Sequence, residues 1–280
     1  NSRRVDPAMQ VIESFLQGKS GRLADCEDQL VISDNFVAVI DGATTKLGKR
    51  IDGQTPGRVL ALTIAEAIPK LAADIDGESA IARLSDEVEQ KAIVPHYGHL
   101  STRRFRPSAS VLIYSRARRV IWRLGDCHFA INGKRFMGHK RIDDVTADAR
   151  AAFNQALLLS GKANERELRS NDRGRLFIEP LLKQQTFFMN QPGEFGYGVI
   201  DGTPEAVQFL ETHEAPAGAE IILASDGYTE AFPSLDEAER VRADIVANDP
   251  LLIRAHKSTK AVMAGHDSFD DRAYVRFRTD

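Results

Sequence analysis

The sequence predicts an α+β fold, a four-layer αββα sandwich in which two packed antiparallel β-sheets lie between outer layers of helices. Two observations carry this prediction. Short apolar runs rich in β-branched residues recur along the chain and end at glycine or turn residues, which is typical of buried strands. The strand patterns come in hairpins and the helical patterns in separate blocks, an order unlike the strand–helix alternation of a doubly wound parallel sheet.

Composition narrows the class of protein. Of 280 residues, 42% are hydrophobic and 28% charged, which is ordinary for a globular chain with a sizeable core. The net charge of −3 gives no basic footprint, so we expect no nucleic-acid partner. There are only two cysteines, no apolar run approaches the roughly 20 residues of a membrane span, and no signal peptide is recognised. We therefore expect a reduced, cytoplasmic protein with no membrane partner; its oligomeric state is left open.

No linker or repeat divides the chain, so we expect one domain over residues 9–280. Residues 1–8 (NSRRVDPA) are interpreted as an added leader, with Met9 as the native start. The segment 161–202 begins with dense charges and ends in a glycine-rich loop. We interpret its charged part, 163–175, as a surface flap and its loop as lying near the site.

The individual elements follow from local patterns. A hairpin is predicted where 29–32 meets the apolar run 37–40 across a polar turn. Pro56 should open a helix that runs to about Ala73 and is kinked or shortened by Pro69. The other predicted elements are helices over 79–92, 147–159 (capped near Asp144), 176–189 and 236–247, strands over 108–114, 120–124, 207–211, 220–224 and 274–277, and a hairpin over 129–136 turning at Asn132-Gly133.

Carboxylates stand at the ends of several predicted strands. Asp41 and Asp226 each follow an apolar run and precede a glycine, Asp126 follows the strand 120–124, and Asp270 leads into the last strand. A charge at the rim of a core is costly unless it is paired or bound to a cation. These strand ends therefore predict a single cation site assembled from distant segments.

The ligand type indicates which cation. Carboxylate oxygens suit Mg²⁺ or Mn²⁺, whereas zinc would need histidine or cysteine, and the seven histidines show no such spacing. Crowded carboxylates repel by about 4 kcal/mol per close pair at an effective dielectric constant of about 20, and divalent ions remove this penalty. Two such ions activate a shared water and polarise a phosphoryl oxygen. Phosphate-ester hydrolysis is therefore the predicted reaction.

A purely structural role is the alternative for each acid taken singly, because Asp-Gly pairs commonly form turns after strands. For Asp126, a cap on the following hairpin is as well supported as a metal-facing role. Of Glu27 and Asp28, one is expected to be a ligand and the other a solvated neighbour.

Six segments together resemble the motifs of the metal-dependent protein phosphatases (the PPM family, protein phosphatase 2C class). In chain order they are Glu27-Asp28, Val39-Ile40-Asp41-Gly42, Ser108-Ala109-Ser110-Val111, Leu124-Gly125-Asp126-Cys127, Leu223-Ala224-Ser225-Asp226-Gly227 and Asp270-Asp271. The resemblance spans about residues 21–278. It implies an αββα sandwich with a dinuclear Mn²⁺ or Mg²⁺ centre that dephosphorylates phosphoserine and phosphothreonine in signalling proteins without a covalent intermediate.

The resemblance also implies residue roles, with Asp41, Asp226 and Asp270 as the catalytic core. Asp41 would bridge both ions, and water held by the bridged pair would be the nucleophile. The remaining ligands would be the Gly42 carbonyl with Glu27 or Asp28 on one ion, Asp226 with Asp270 on the other, and Asp126 on an additional, weaker ion.

Some positions depart from the family pattern. The phosphate-binding arginine has no direct counterpart: Arg22 lies one position too early, and Lys46 is a second candidate. Asp271 stands where asparagine is usual, and 161–202 matches the usual flap poorly, so a divergent flap is expected there. Two alternatives therefore stay open, a phosphatase of a small phosphorylated metabolite and a non-catalytic pseudophosphatase that binds a partner.

Overall fold

A computed structural model describes residues 9–44, 50–98 and 106–280. Within these ranges the strands form two five-stranded antiparallel sheets. Sheet I contains, in spatial order, β1 (Gln10–Gln17), β10 (Arg272–Arg278), β9 (Glu220–Ala224), β6 (His128–Ile131) and β7 (Lys134–Phe136). Sheet II contains β2 (Gln29–Ile32), β3 (Phe36–Ala43), β4 (Ser108–Ser115), β5 (Val120–Leu124) and β8 (Glu211–Glu214).

The core between the sheets follows from the period-two alternation of strand side chains. In β3, Val37 and Val39 face sheet I, whereas Phe36, Ala38 and Ile40 face the helices on the other side. Because both faces of β3 are covered, its apolar run is continuous rather than alternating. The inter-sheet layer is completed by Leu112, Tyr114, Ile121, Phe129, Ile221, Leu223, Val275 and Phe277, all fully buried.

Helices cover both outer faces. Helices α1 (Pro56–Ala67) and α2 (Gly77–Val88) pack on sheet II, and α7 (Leu235–Asn248) packs on sheet I. The predicted four-layer αββα sandwich is thus confirmed. Helix α1 begins at Pro56 as predicted, and Pro69 falls in a short 3₁₀ turn, Ile68–Lys70, because its ring is incompatible with a continuing α-helix. Helix α2 runs into a π-helical turn, Glu89–Ile93, and then into α3 (Val94–Tyr97).

A group of three helices, here called the helical cap, comprises α4 (Arg141–Leu159), α5 (Glu165–Ser170) and α6 (Arg173–Gln184). The segment 163–175, interpreted from the sequence as a charged surface flap, contains α5 and the start of α6; most of its side chains are exposed, and Leu168 and Gly174 are buried. The helix predicted over 147–159 already begins at Arg141. Asp144 therefore lies in the first turn of α4 rather than at its N-cap position.

Buried polar contacts hold the cap together. The Arg150 side chain is fully buried and donates to Asp172 at the start of α6 (Nε to Oδ2, 2.8 Å). Its other nitrogens donate to the carbonyls of Leu251, Leu252 and Ser258, at 2.8, 3.1 and 2.8 Å. One guanidinium thus joins α4, α6 and the loop that follows α7.

Two hairpin and strand predictions had different outcomes. The turn between β6 and β7 forms at Asn132-Gly133, with φ of +49° and +79°, which is the predicted tight hairpin. The strand predicted over 207–211 is wrong. Pro204 starts a 3₁₀ helix, Pro204–Phe209, and the strand begins only at Glu211. Within the described ranges, none of the helices has the length and apolar character required to cross a bilayer.

Candidate metal centre

The predicted acids meet at one end of the sandwich. Strand β3 ends here, the chain crosses from β5 to β6 here, β9 ends here and β10 begins here. Asp41, Asp126 and Asp226 each place a carboxylate oxygen within 4.8 Å of the other two. In the described part of the chain, this is the only group of three or more His, Cys, Asp or Glu side chains close enough to share a metal ion.

The strand pairing positions Asp41 and Asp126. Asp41 lies opposite Ser110 in the β3–β4 register, and the Ser110 hydroxyl donates to Asp126 Oδ1 at 2.6 Å. Gly125 precedes Asp126 with φ of +102°, and a Cβ there would lie 2.2 Å from the Ser110 hydroxyl oxygen. Only glycine therefore allows the turn that carries Asp126 towards Asp41.

A second close approach positions Asp226. A Cβ on Gly227 would lie 1.8 Å from the Asp271 carbonyl oxygen, so the turn after β9 and the start of β10 are in direct backbone contact. The Ala273 amide donates to the Ser225 hydroxyl oxygen at 2.8 Å and ties the same two segments. Asp226 and Asp270 consequently line one cleft.

The Glu-Asp pair lies next to the start of β10, since the Glu27 amide donates to Asp271 Oδ2 at 2.9 Å. Glu27 lines the cleft and accepts a hydrogen bond from the Thr44 hydroxyl. Asp28 is buried (2% exposed), and its Oδ2 atom has no hydrogen-bond partner among the described residues. Gly42 is packed so closely that a Cβ would lie 2.5 Å from the Gly57 carbonyl oxygen. The first turn of α1 therefore rests against the end of β3.

The carboxylates destabilise one another when ionised. Burial, followed by repulsion from Asp226, Asp28 and Asp126, raises the pKa of Asp41 well above its usual range. Burial and the neighbouring Asp126 and Asp270 raise the pKa of Asp226 to about 7. Each shift has the sign expected for a carboxylate removed from water and placed beside like charges.

The Asp41 and Asp226 carboxylates form no hydrogen bond or ion pair with any described residue. Together with the orphan oxygen of buried Asp28, these partly buried side chains supply hard anionic oxygens. This donor set fits Mg²⁺ or Mn²⁺ and does not fit zinc, which would call for histidine or thiolate ligands.

Three lysines enter the site that the sequence patterns did not reveal. Lys140 contacts Asp126 (Nζ to Oδ2, 2.8 Å), and Lys19 and Lys260 contact the two oxygens of Asp270 at 3.0 and 2.6 Å. Burial alone would raise the pKa of both acids, but these ammonium groups hold each pKa below its usual value. No spacing signal could have identified lysines so far from their partners in sequence.

Of the two predicted phosphate-binding residues, the structure describes only Arg22, and it does not bring this side chain to the cleft. Arg22 is exposed and binds Asp25, outside the residues that line the cleft. Lys46 lies outside the described residues. The cationic side chains that do line the cleft are Lys19, Lys140, Arg175 and Lys260.

The site consists of two adjoining clefts. The smaller, of about 230 Å³, contains Asp41 and is closed on the cap side by Arg175, Leu182, Gln185 and Tyr197. The larger, of about 560 Å³, extends outward past His139, Met137 and Lys257. Both are lined by Asp126, Asp226 and Asp270, so the acids form their common floor.

Comparison with known proteins gave matches among solved structures alone. No family model matches the sequence, and no curated protein matches it. The Mycobacterium tuberculosis serine/threonine phosphatase PstP/Ppp is 16% identical with a TM-score of 0.47, covering 98% of this chain and 99% of that one. The PPM Ser-Thr phosphatase MsPP from Mycobacterium smegmatis, in complex with cacodylate, is 15% identical with a TM-score of 0.45 (97% and 100% covered). RsbX in complex with magnesium is 16% identical with a TM-score of 0.43 (97% and 100% covered).

Proposed function

We propose that this chain is a metal-dependent phosphatase that hydrolyses phosphoserine or phosphothreonine in proteins. The observation that carries the proposal is the meeting of Asp41, Asp126 and Asp226 within 4.8 Å, with the first and third lacking any partner among the described residues. Such an arrangement is electrostatically costly in the metal-free protein. A divalent cation removes that cost, and a structural role for the same acids does not explain it.

The ligand set is assigned from the position of each oxygen. Asp41 and Asp226 would hold Mn²⁺ or Mg²⁺, assisted by the Gly42 carbonyl and by Glu27, which lines the cleft. Bound ions would supply the positive charge that lowers the pKa of a water molecule and polarises a phosphoryl oxygen. Asp28, next to Glu27, has an oxygen atom, Oδ2, without a hydrogen-bond partner among the described residues and is a further candidate ligand.

Asp270 is also proposed as a ligand, because it lines both clefts beside Asp226. Lys19 and Lys260 hold its two oxygens and keep the carboxylate ionised. These lysines, with Arg175 from the cap, are the cleft's candidates for contacting phosphate oxygens. They are proposed for the role that the sequence assigned to Arg22, which lies away from the cleft.

The shape of the site favours a protein substrate. The 230 Å³ cleft over the acids accommodates a phosphorylated side chain, and the open 560 Å³ cleft beside it accommodates the flanking residues of a polypeptide. A small phosphorylated metabolite is the second candidate. The closure of the smaller cleft by Leu182, Gln185 and Tyr197 favours it.

Hydrolysis of p-nitrophenyl phosphate with Mn²⁺, with and without a chelator, tests the activity. We expect turnover that the chelator abolishes and that Asp226→Asn lowers by about 100-fold or more, since a metal ligand is lost. Asp148→Asn is the matched control, because Asp148 is exposed and pairs with Lys257 at the edge of the site. Unchanged turnover in Asp226→Asn would remove the proposed role.

Panels of phosphopeptides and of small phosphomonoesters then decide the substrate class. A protein phosphatase should give a higher kcat/KM on phosphopeptides than on metabolites of similar leaving-group chemistry. The reverse order would favour the metabolite reaction, and Mn²⁺ binding without turnover on either panel would indicate a pseudophosphatase.

A further inference from the structure

Lys140 occupies a place in the acid cluster that the proposed reaction does not explain. Its side chain is 13% exposed, and its Nζ atom lies 2.8 Å from Asp126 Oδ2. The other oxygen, Oδ1, accepts from the Ser110 hydroxyl at 2.6 Å. Both oxygens of Asp126 are thus engaged, whereas Asp41 and Asp226 have no such partner among the described residues. The oxygens of Asp270 also contact lysines, but Lys19 and Lys260 are 27% and 33% exposed, so their ammonium groups can turn to solvent when an ion binds.

The backbone before Lys140 is fixed against Asp126 itself. A Cβ on Gly138 would lie 2.1 Å from the Asp126 carbonyl carbon and oxygen, so the two backbones are in direct contact. The Gly138 amide also donates to Nδ1 of His128 at 3.0 Å. These contacts fix the backbone just before Lys140, so its side chain extends to Asp126 from a fixed position.

The ammonium group has a second fixed contact. Its Nζ atom lies 5.3 Å from the centre of the Tyr197 ring, within the range of a cation–π interaction. Lys140 is also the residue that precedes α4, so its backbone is held at the start of the helical cap. The Lys140 ammonium therefore contacts Asp126 and the Tyr197 ring, while its backbone lies at the start of the helical cap.

Another lysine of the same cleft provides a contrast. Lys257 also binds an aspartate, Asp148, at 2.8 Å, but their side chains are 44% and 62% exposed. Such a surface pair contributes little to the free energy of unfolding, because water screens both charges. A buried pair behaves differently, since removing one partner leaves a charge without compensation.

We propose that Lys140 is a built-in cation of the centre, whose ammonium takes the position on Asp126 that a divalent ion would otherwise occupy. A metal ion at Asp126 would have to displace this oriented ammonium or lie beside its positive charge, and both are unfavourable at short range. The native chain then binds its ions through the other acids. The proposal builds on the metal centre proposed above and opposes the additional, weaker ion expected at Asp126.

Counting bound Mn²⁺ tests this role without relying on catalysis. The folded full chain is titrated with Mn²⁺ alone, and bound ions per chain are measured by equilibrium dialysis with elemental analysis and by electron paramagnetic resonance of free Mn²⁺. We expect Lys140→Met to bind one Mn²⁺ per chain more than the natural protein. The double variant Lys140→Met/Asp126→Asn should return to the natural count, and so should Lys140→Arg.

Lys257→Met is the matched control, since it removes a lysine from the same cleft and should leave the count unchanged. Lys140→Gln keeps a hydrogen-bond donor for Asp126 and serves if the methionine variant does not fold, as judged by circular dichroism. An unchanged Mn²⁺ count in folded Lys140→Met or Lys140→Gln overturns the proposal. Failure of the natural protein to bind Mn²⁺ would instead overturn the proposed function, because Lys140 is tested only by the difference between variant and natural protein.

Discussion

At the residue scale, Asp226 is a proposed metal ligand whose ionisation lowers the stability of the metal-free protein. Its carboxylate is placed among other acids, and burial followed by Asp126 and Asp270 raises its pKa to about 7 from a usual value of 3.8. Three lysines offset part of the total charge by binding Asp126, Asp270 and Asp271. Ionisation of Asp226 therefore destabilises the metal-free native protein, whereas Asp126 and Asp270, whose pKa values are lowered by lysines, stabilise it when ionised.

This pKa gives a pH-dependent prediction for the chelated protein. The native state holds a proton on Asp226 that the unfolded chain has already released, so the free energy of unfolding falls as pH rises from about 4 to about 7. A displacement of about three pH units corresponds to about 4 kcal/mol at most. Urea unfolding in chelator across this range measures the slope.

The Asp226→Asn variant provides the comparison, because it cannot ionise at this position. Its unfolding free energy should vary less with pH than that of the natural protein and should be higher at about pH 8 in chelator. An identical slope in both proteins would contradict the assignment.

At the element scale, the site depends on how closely α1 approaches β3. Gly42→Ala should cost about 1–3 kcal/mol of stability, because its Cβ would meet the carbonyl oxygens of Gly57 and Glu27 at 2.5 and 2.7 Å. We also expect weaker Mn²⁺ binding, since the backbone must shift at a proposed ligand. Urea unfolding and Mn²⁺ titration measure the two effects.

Gly53→Ala separates crowding from backbone strain. Gly53 has φ of +80° but no atom within 4 Å of an added Cβ, so its substitution should cost about 1 kcal/mol from strain alone. The Mn²⁺ affinity of the Gly53→Ala variant should equal that of the natural protein. An equal loss of Mn²⁺ affinity in both variants would show that the close approach of α1 to β3 does not determine Mn²⁺ binding.

The helical cap depends on a single buried guanidinium. Arg150→Met should destabilise the protein by about 3–5 kcal/mol, because it leaves the partly buried Asp172 carboxylate and the Leu251, Leu252 and Ser258 carbonyls without their donor. Turnover should fall as well, since α6 carries Arg175 and Leu182 to the cleft. Urea unfolding and steady-state kinetics report on stability and activity.

Arg254→Met is the control on the same part of the molecule. Arg254 pairs with Glu165 at the start of α5, and the two side chains are 49% and 48% exposed. Its second acidic neighbour, Asp249, lies 3.7 Å away and keeps hydrogen bonds from the Ile253 and Arg254 amides when the guanidinium is removed. Removing so exposed a pair should change stability by less than about 1 kcal/mol. A loss as large as that of Arg150→Met would contradict the distinction between the buried and exposed pairs.

At the scale of the whole molecule, the inter-sheet layer should make both sheets unfold together. Leu112 belongs to sheet II and Leu223 to sheet I, and both are fully buried in the same layer. Either leucine changed to alanine should cost about 2–5 kcal/mol. Amide hydrogen exchange should show protection falling by similar amounts in both sheets, as expected for the single domain predicted over 9–280.

Leu159→Ala serves as the surface comparison, because Leu159 is 89% exposed at the end of α4. Its effect should stay within about 0.5 kcal/mol. Exchange that changes in only one sheet after Leu112→Ala would indicate two independently unfolding units.

Much of the fold could be predicted because its signals are local. The continuous apolar runs that end at Asp41 and Asp226 predicted buried strands, and Asn132-Gly133 predicted a hairpin from backbone preference alone. Helix α5 and the first turns of α4 and α6 were not predicted, and the contacts that hold the cap together are not local. Burial of Arg150 depends on carbonyls about a hundred residues away, and nothing near Arg150 in the sequence indicates them.

The sequence by itself determined most of the strands, the αββα layering and the acids at the strand ends, because these follow from side-chain periodicity and residue type over a few positions. Only the tertiary structure decided which oxygens lie together and which cations reach them. The pairings of Lys140 with Asp126 and of Lys260 with Asp270 depend on how the segments between them fold back, and the pairing of Lys19 with Asp270 depends on the path of nearly the whole chain. A contact between residues distant in sequence leaves no periodic pattern, and its energy exists only once folding has removed the intervening water.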